Sequence, residues 1–588
     1  MRERHTPVLI VGGGGSGLAA SIFLSDMGIE SILVERHFTT SPQPKAHIIN
    51  GRTMEILARH GLAEEIYRQG SPPEKSSAMV WLTSLGGDAP YDRQVLHRAD
   101  AYGGGQSAVR YAAACGHRHG NLGQRWLEPL LRAHAEERDP STVLFGHETI
   151  GLVQDDEGVL ATVRDRAAGE FHHVRADYLI AADGGKTIGP ALGVEMVGTP
   201  TLLEWVNLHV HADFSPFMAH DDAIVNRVCS LDEETGRFLH CGVVPMGPKR
   251  WGRHSEAWTL MFARPPGSAK GSELDDAAVE HLVRKTLKLP GDHPMRIESI
   301  SRWPVEGTVA DRFSVGRVFL AGDAAHRHPP SGALGLNTGV HDVHNLCWKL
   351  AAVLTGTAPA ALLNSYAAER RPVARQVVER ALYSLFNQIA MTGGTGVVEG
   401  AAPAWNRSQY AALFADTADG RTRRAVLREY FDTNRITTEH LGLEMGYDYA
   451  DAGYVLSDGT ERPEADPLGL EYRQCARPGH RMPHTWLSRA GRLTATHELI
   501  EPGRFLLITS GRAGEWREAA DRHGYEMVVV DVGSEFADPG GAWANLRGHE
   551  DGGALLVRPD GFVAGRFDPI TDPWSALAQG FRTALAAD

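Results

Sequence analysis

Near the amino terminus, Gly12-x-Gly14-x-x-Gly17 stands between an apolar run at residues 8–11 and a helix-forming stretch at 16–27. In such a strand–turn–helix unit the first glycine permits the tight turn, the second admits a pyrophosphate, and the third lets helix meet strand. Glu35 closes the next apolar run roughly 20 residues on, where a carboxylate accepts ribose hydroxyl protons and repels a 2′-phosphate. Arg36 follows and is counted in the same binding set. These residues predict a dinucleotide site; the plainer reading is a glycine-rich turn without a ligand.

A second constellation decides which dinucleotide. Gly322-Asp323-Ala-Ala-His-Arg-His-Pro329-Pro330-Ser-Gly332-Ala-Leu-Gly335-Leu336-Asn337-Thr-Gly339 follows a strand-like run and precedes a helical region at about 338–355. Asp323, at a strand end, can hold a ribityl or ribose hydroxyl, and the loop offers backbone N–H groups with a helix N-terminus behind them. A reduced flavin is negative at its N1/C2 edge, so the positive helix end places the isoalloxazine beside Gly335, Leu336 and Asn337. The competing reading is a rigid Pro-Gly loop that caps a helix.

The early glycine turn, the central Asp183-Gly184 and the late Gly322-Asp323 with its Pro-Pro loop together resemble the class A flavoprotein aromatic hydroxylases. Within that group, Lys45-Ala-His47-Ile-Ile-Asn-Gly-Arg52-Thr-Met-Glu-Ile and an extra C-terminal unit resemble phenol hydroxylases, above all the 2,4-dichlorophenol 6-monooxygenase type. The resemblance spans nearly the whole chain. It implies non-covalent FAD, NADPH or NADH as co-substrate, O2, and hydroxylation of a phenolic or hydroxy-heteroaromatic substrate through a flavin C4a-hydroperoxide. It also implies that Asp183-Gly184 touches FAD and NAD(P)H, that Gln124 lies near the pyrophosphate, and that Pro330 belongs to the catalytic set. Lys45 falls where the family has an FAD-contacting arginine, keeping the charge but not the planar fork.

His47 takes the place of an acidic residue that phenol hydroxylases carry near the substrate hydroxyl. An imidazole with an ordinary pKa of about 6.5 can deprotonate a phenol at physiological pH. The bland alternative is a loop histidine contacting backbone or cofactor. Arg52 reads as structural or pyrophosphate-directed.

A chain of 588 residues outgrows a single core, so several domains must position these groups. The expected class is α/β, with a Rossmann-like FAD-binding domain from residues 1–80, 105–185 and 305–400. An interleaved antiparallel-sheet substrate domain takes 81–104 and 186–304, where period-two segments such as 257–262 alternate with Gly/Pro turns. Trp205, Trp258 and Trp303 are candidates for its pocket wall, although tryptophans in such a sheet are more often plain core. Residues 401–474 read as a helical segment and linker. Residues 475–588 resemble the family's thioredoxin-like extension, but the turn Thr509-Ser-Gly-Arg-Ala-Gly514-Glu-Trp516 lacks cysteine, which excludes thiol–disulfide exchange there. Packing or oligomerisation is left, and the family implies a homo-oligomer.

The net charge of −14, without a Lys/Arg stripe, disfavours nucleic acid as a partner. Five scattered cysteines without CxxC or metal-like pairing disfavour a disulfide framework and a metal site, and fit a reducing cytoplasm. No apolar segment reaches membrane-spanning length. No second GxGxxG occupies a convincing βαβ setting, so the nicotinamide is expected to visit transiently. Two rivals stay open: a flavin halogenase or oxidase, and a flavin-bearing protein that sequesters an aromatic compound.

Overall fold

Strands that are apolar without alternation must be covered on both faces, and here they pair in parallel. The computed structural model describes residues 3–264, 276–433, 435–524 and 526–587. Its first sheet runs Ser314–Val315, Val318–Leu320, Phe171–Ala181, Glu3–Val11, Ser31–Glu35, Thr142–Phe145, parallel from Val318–Leu320 onward. The helix Gly15–Asp26 is buried along almost its whole length. It lies against the helices Gln124–Glu136 and Gly335–Leu354, which explains why it has no polar face. This is the expected nucleotide-binding half.

The second sheet runs His326–Arg327, Met295–Ala310, Met196–Ala212, Ala257–Arg264, Phe238–Pro245, Ala223–Leu231, Ala78–Leu82, Val95–Asp100. All its pairs are antiparallel except Ala223–Leu231 with Ala78–Leu82. Alternation gives it two faces. Val206, Leu208, Val243, Trp258 and Leu260 pack on the helix Asp276–Leu287. Met79, Trp81, Val244 and Met246 form the other face, which clusters with Ile48 and with Ala333 of the late loop.

This register decides between the two readings of the tryptophans in favour of plain core. Trp258 lies on the face away from the late loop, one residue out of phase with Ala257. Trp205 and Trp303 are cross-strand neighbours packed with Val305 and Leu385, a core contact with the long helix Asn364–Ala390. The expected domain breaks at 80/81 and 304/305 also fall inside strands, Ala78–Leu82 and Met295–Ala310. Pro304 does not end its strand because the outer neighbour, His326–Arg327, pairs only with Thr308 and Val309, leaving that edge open where proline is tolerated. The late loop is therefore itself an edge strand of the substrate sheet.

After the helices Pro403–Phe414 and Ala418–Asp432, a largely irregular segment leads to a four-stranded sheet. Its order is Met527–Asp531, Phe505–Thr509, Ala554–Val557, Val563–Phe567, with only the first pair parallel. Buried charges lock this unit to the rest of the chain. Glu369 accepts from Lys349 Nζ at 2.6 Å and from both terminal nitrogens of Arg558 at 2.5 and 2.8 Å. Asp560 accepts from Arg558, from Asn345 Nδ2 at 3.1 Å and from Trp348 Nε1 at 3.2 Å. Arg52 donates to Glu55 and, at 2.5 Å, to the Asp560 carbonyl, while Arg481 also pairs with Glu55. Arg52 is thus structural. Such closed networks fix one docking geometry more than they add net stability.

Candidate active site

The glycine turn is sterically obligatory. Gly12 has φ +112°, and a Cβ there would lie 2.3 Å from the Ala182 carbonyl oxygen. A Cβ on Gly17 would lie 1.9 Å from the Gly12 oxygen. Gly14 differs, with φ −82° and nothing nearer to a Cβ than Glu128 Oε1 at 3.7 Å. The space its missing side chain leaves is a cradle above the first turn of a helix.

Glu35 accepts from the Gly13 N–H at 2.7 Å and the His37 N–H at 2.8 Å, and each oxygen keeps a lone pair for a ribose hydroxyl. Arg36 lies beside it, with Nε 3.2 Å from His37 Nε2. Gln124 donates to Glu128 Oε1 at 2.6 Å, and the Ser41 N–H donates to Glu128 Oε2 at 3.0 Å. Burial holds Glu128 above the usual carboxylate range, opposed by the Gln124 bond and by the charge of Lys45. Lys45 is exposed on the same loop, at φ 39°. Glu128 escaped the sequence reading; its only signal was the i,i+4 spacing to Gln124 on one helix face.

The two constellations meet. A Cβ on Gly15 would lie 2.6 Å from Leu336 Cδ1, and Cβ atoms on Gly322 and Gly339 would lie 2.8 and 2.4 Å from Ser16 Oγ. Asp323 is exposed, and its carboxylate has no protein partner among the described residues. The helix Gly335–Leu354 begins without a capping side chain, so the N–H groups of Gly335, Leu336 and Asn337 face outward unsatisfied by a cap. The Asn337 side chain is fully used elsewhere: Oδ1 accepts from the Asn50 N–H at 2.9 Å, and Nδ2 donates to the Ile48 and Ala333 carbonyls at 3.1 and 2.8 Å. Only its backbone is left for a cofactor. Pro330 is exposed in the loop, its carbonyl accepting from the Ala333 N–H at 3.1 Å.

The Asp183 carboxylate accepts from the N–H groups of Gly185, Thr187 and Ile188 at 3.1, 2.7 and 3.0 Å, so it shapes its own turn. Arg327 ties that turn to the late loop, donating to the Gly184 and Gly185 carbonyls at 3.1 and 3.2 Å and to the Asp323 carbonyl at 3.1 Å. Beneath the loop, the buried Asp342 accepts from the Gly322 N–H at 3.1 Å, His326 Nε2 at 2.7 Å and Arg370 Nε at 2.9 Å. Open cradle, uncapped helix start and unpaired Asp323 together fit a dinucleotide with a flavin at one end.

His47 Nδ1 lies 2.8 Å from Asn121 Oδ1, an acceptor, so Nδ1 carries the proton and Nε2 keeps its lone pair. Burial pushes the His47 pKa down, opposed by that hydrogen bond. The residue as a whole is half-buried. Its neighbour Ile48 belongs to the apolar cluster that joins the sheet to Ala333. One trio among the described residues, His209, His211 and Glu298, has metal-ligand spacing. Arg125 fills it, 2.6 Å from both His209 Nδ1 and Glu298 Oε1, and its hydrogen bond holds Glu298 down to about 2.

The family described as "FAD binding domain" matches residues 5–381, and the one described as "aromatic-ring hydroxylase, C-terminal" matches residues 476–587. The chain belongs to the FAD-dependent aromatic-ring hydroxylases. The hydroxylase is 35% identical to 2,4-dichlorophenol 6-monooxygenase of Delftia acidovorans, across 96% of this chain and 95% of the relative. It is 33% identical to tetracenomycin A2 monooxygenase-dioxygenase of Streptomyces glaucescens, across 97% and 95%. Its structure superposes on the flavin-dependent monooxygenase PieE, in complex with FAD and substrate, with a TM-score of 0.91, 34% identity and full coverage of both chains. A ternary complex of aklavinone-11 hydroxylase with FAD and aklavinone gives 0.79 at 26% identity, also over both whole chains. No helix of the described residues is long and apolar enough to cross a membrane.

Proposed function

We propose that this FAD-, NAD(P)H- and O2-dependent monooxygenase hydroxylates a phenolic or hydroxy-heteroaromatic ring, and that His47 is the base that ionises the substrate hydroxyl. The observation that carries the second part is the His47–Asn121 hydrogen bond, which leaves Nε2 as a proton acceptor one residue from Ile48 of the apolar cluster. Bound FAD supplies hydride acceptance from NAD(P)H and activation of O2. Gly12, Gly14 and Gly17 with Glu35, Arg36, Lys45 and Gln124 would hold its ADP half. Asp183-Gly184, Asp323 and the N–H groups of Gly335, Leu336 and Asn337 would hold its flavin half, and Pro330 would belong to the catalytic set.

The protein's own work is to orient the ring, keep water out and take one proton. A phenolate is more electron-rich than a phenol, so transfer of that proton to His47 Nε2 activates the ring for an electrophile. The sheet face of Met79, Val244 and Met246 supplies the dry wall. We further read residues 475–588 as a thioredoxin-like unit from its one parallel pair followed by antiparallel strands. A homo-oligomer in the cytoplasm is the accompanying expectation.

His47→Asn is expected to lower kcat/KM for a phenol by about 100-fold at neutral pH with flavin content unchanged. The deficit should close as pH rises toward about 10, where a phenol ionises unaided. In the wild type, burial keeps the imidazole neutral below its ordinary value, so the acid limb should lie under pH about 6.5. Steady-state rates across pH check both; a variant whose deficit does not change with pH would remove His47 from this role.

A further inference from the structure

The substrate face of the second sheet contains a charge that the hydroxylase reading does not use. Arg227 sits on the strand Ala223–Leu231, opposite Trp81 on one side and Gly242 on the other. Register puts it in phase with Trp81, Val225 and Leu231, all members of the cluster that reaches Ile48 and Ala333. Among the described residues it makes no hydrogen bond and no ion pair, and no carboxylate figures among the charges that act on it. A guanidinium cannot shed its proton in a protein, so a positive charge stands here without a counterion.

Arg227 and its neighbours are not sealed in the core. Arg227, Cys229 and His240 all retain accessible surface, yet burial dominates the shift of each, lowering the two bases and raising the thiol. Cys229 pairs across the strands with His240, two residues along from the Arg227–Gly242 pair, so these accessible side chains share one face of the sheet. The Tyr102 hydroxyl is the first electrostatic neighbour of Arg227 and has no hydrogen-bond partner among the described residues. Tyr102 is held at φ 50°, a left-handed backbone that a bulky residue adopts only under constraint. Its ring is 6.3 Å from that of His440, whose Nε2 would lie 3.0 Å from a Cβ on Gly332 of the late loop. Tyr102 and His440 thus connect the surroundings of Arg227 to the late loop.

An unpaired, partly desolvated cation on an apolar face is costly, and a ligand that brings the counterion removes that cost. We infer that the substrate is an aromatic acid, carrying a carboxylate or an equally acidic vinylogous enol that Arg227 binds through its planar fork at the end remote from the hydroxylated ring. Tyr102 completes the grip with a hydrogen bond to the same oxygen pair. The inference rests on the hydroxylase reading for the identity of this face as the substrate's and deepens it by naming the substrate's charge.

The test uses the purified FAD-loaded enzyme. Hydroxybenzoate, hydroxynaphthoate and hydroxyanthraquinone carboxylate, each beside its neutral amide, are titrated by calorimetry and by the change in flavin absorbance. At least one acid should bind about 10- to 100-fold more tightly than its amide, the range of a charge-assisted hydrogen-bond pair. Arg227→Gln should erase that difference, and Arg227→Lys should keep part of it. Melting temperature and flavin content report whether each variant is folded. Equal binding of acid and amide, no binding by any acid, or a preference that survives Arg227→Gln overturns the inference. An acid preference without oxygenated product would keep the anion site and sink the hydroxylase reading; oxygenation of acid and amide alike would do the reverse.

Discussion

Gly14→Val should yield a folded, colourless protein. The backbone at Gly14 already lies where any residue is comfortable, and the nearest atom to a new Cβ is 3.7 Å away. The fold has no reason to object. The added side chain, however, fills the cradle through which a pyrophosphate must approach the first N–H groups of the helix Gly15–Asp26. Losing two charge-assisted hydrogen bonds to phosphate weakens FAD by about 100- to 10,000-fold, and activity falls with occupancy. Gly17→Ala supplies the contrast, because its Cβ would sit 1.9 Å from the Gly12 carbonyl and the turn itself must break. Absorbance at the flavin maximum, set against circular dichroism and melting temperature, separates the two outcomes. A yellow Gly14→Val protein with wild-type stoichiometry would show that the cofactor lies elsewhere.

The second large effect is expected at a residue that touches no cofactor. Asp342→Asn preserves shape but removes the charge between His326 and Arg370, both buried. Arg370 is left as an uncompensated cation, a loss of about 3–5 kcal/mol. The Gly322 N–H, which Asp342 also anchors, is the start of the late loop, so flavin affinity should fall along with stability. The pH dependence has a definite sign. Burial alone would raise the Asp342 pKa, but His326 and Arg370 outweigh it and hold the carboxyl below its ordinary value. A group depressed in the folded state contributes stability that is present above its unfolded value of about 3.9 and is lost as pH falls through the lower folded one. Unfolding midpoints of the wild type should therefore drop through that acid window while those of Asp342→Asn stay flatter. Superimposable melts at neutral pH would refute the buttress.

The predictions differ in how far the sequence anticipated them. Gly12, Gly14, Gly17 and Glu35 were legible because their chemistry is local: a turn, a helix start and a strand end lie within one contiguous stretch, and sterics leave little choice of residue. The late loop was legible for the same reason, and the contact of Leu336 with Gly15 joins the two as anticipated. Asn337 was read as loop but lies in the first turn of the helix Gly335–Leu354, and its side chain knits Ile48 and Asn50 to that helix start, a role fixed by residues nearly 300 positions away. Glu128, Arg327 and Asp342 went unread because each acts through partners that only folding brings near. For Trp258 both wall and plain core were open, because residue type carries no information on strand phase, and phase alone chose the core face.

By itself, then, the order of residues determined the class of the chain and its glycine turn, and it offered His47 as a candidate base. Only the tertiary structure decided that His47 is held in the Nδ1–H tautomer by Asn121, that the C-terminal unit is locked on by Glu369, Arg558 and Asp560, and that Arg227 has no counterion among the described residues. The reason is one of range. Backbone sterics and helix-end polarity act between near neighbours and leave a signature in spacing, whereas protonation state, ion pairing and the lining of a cavity depend on which distant side chains the core brings together.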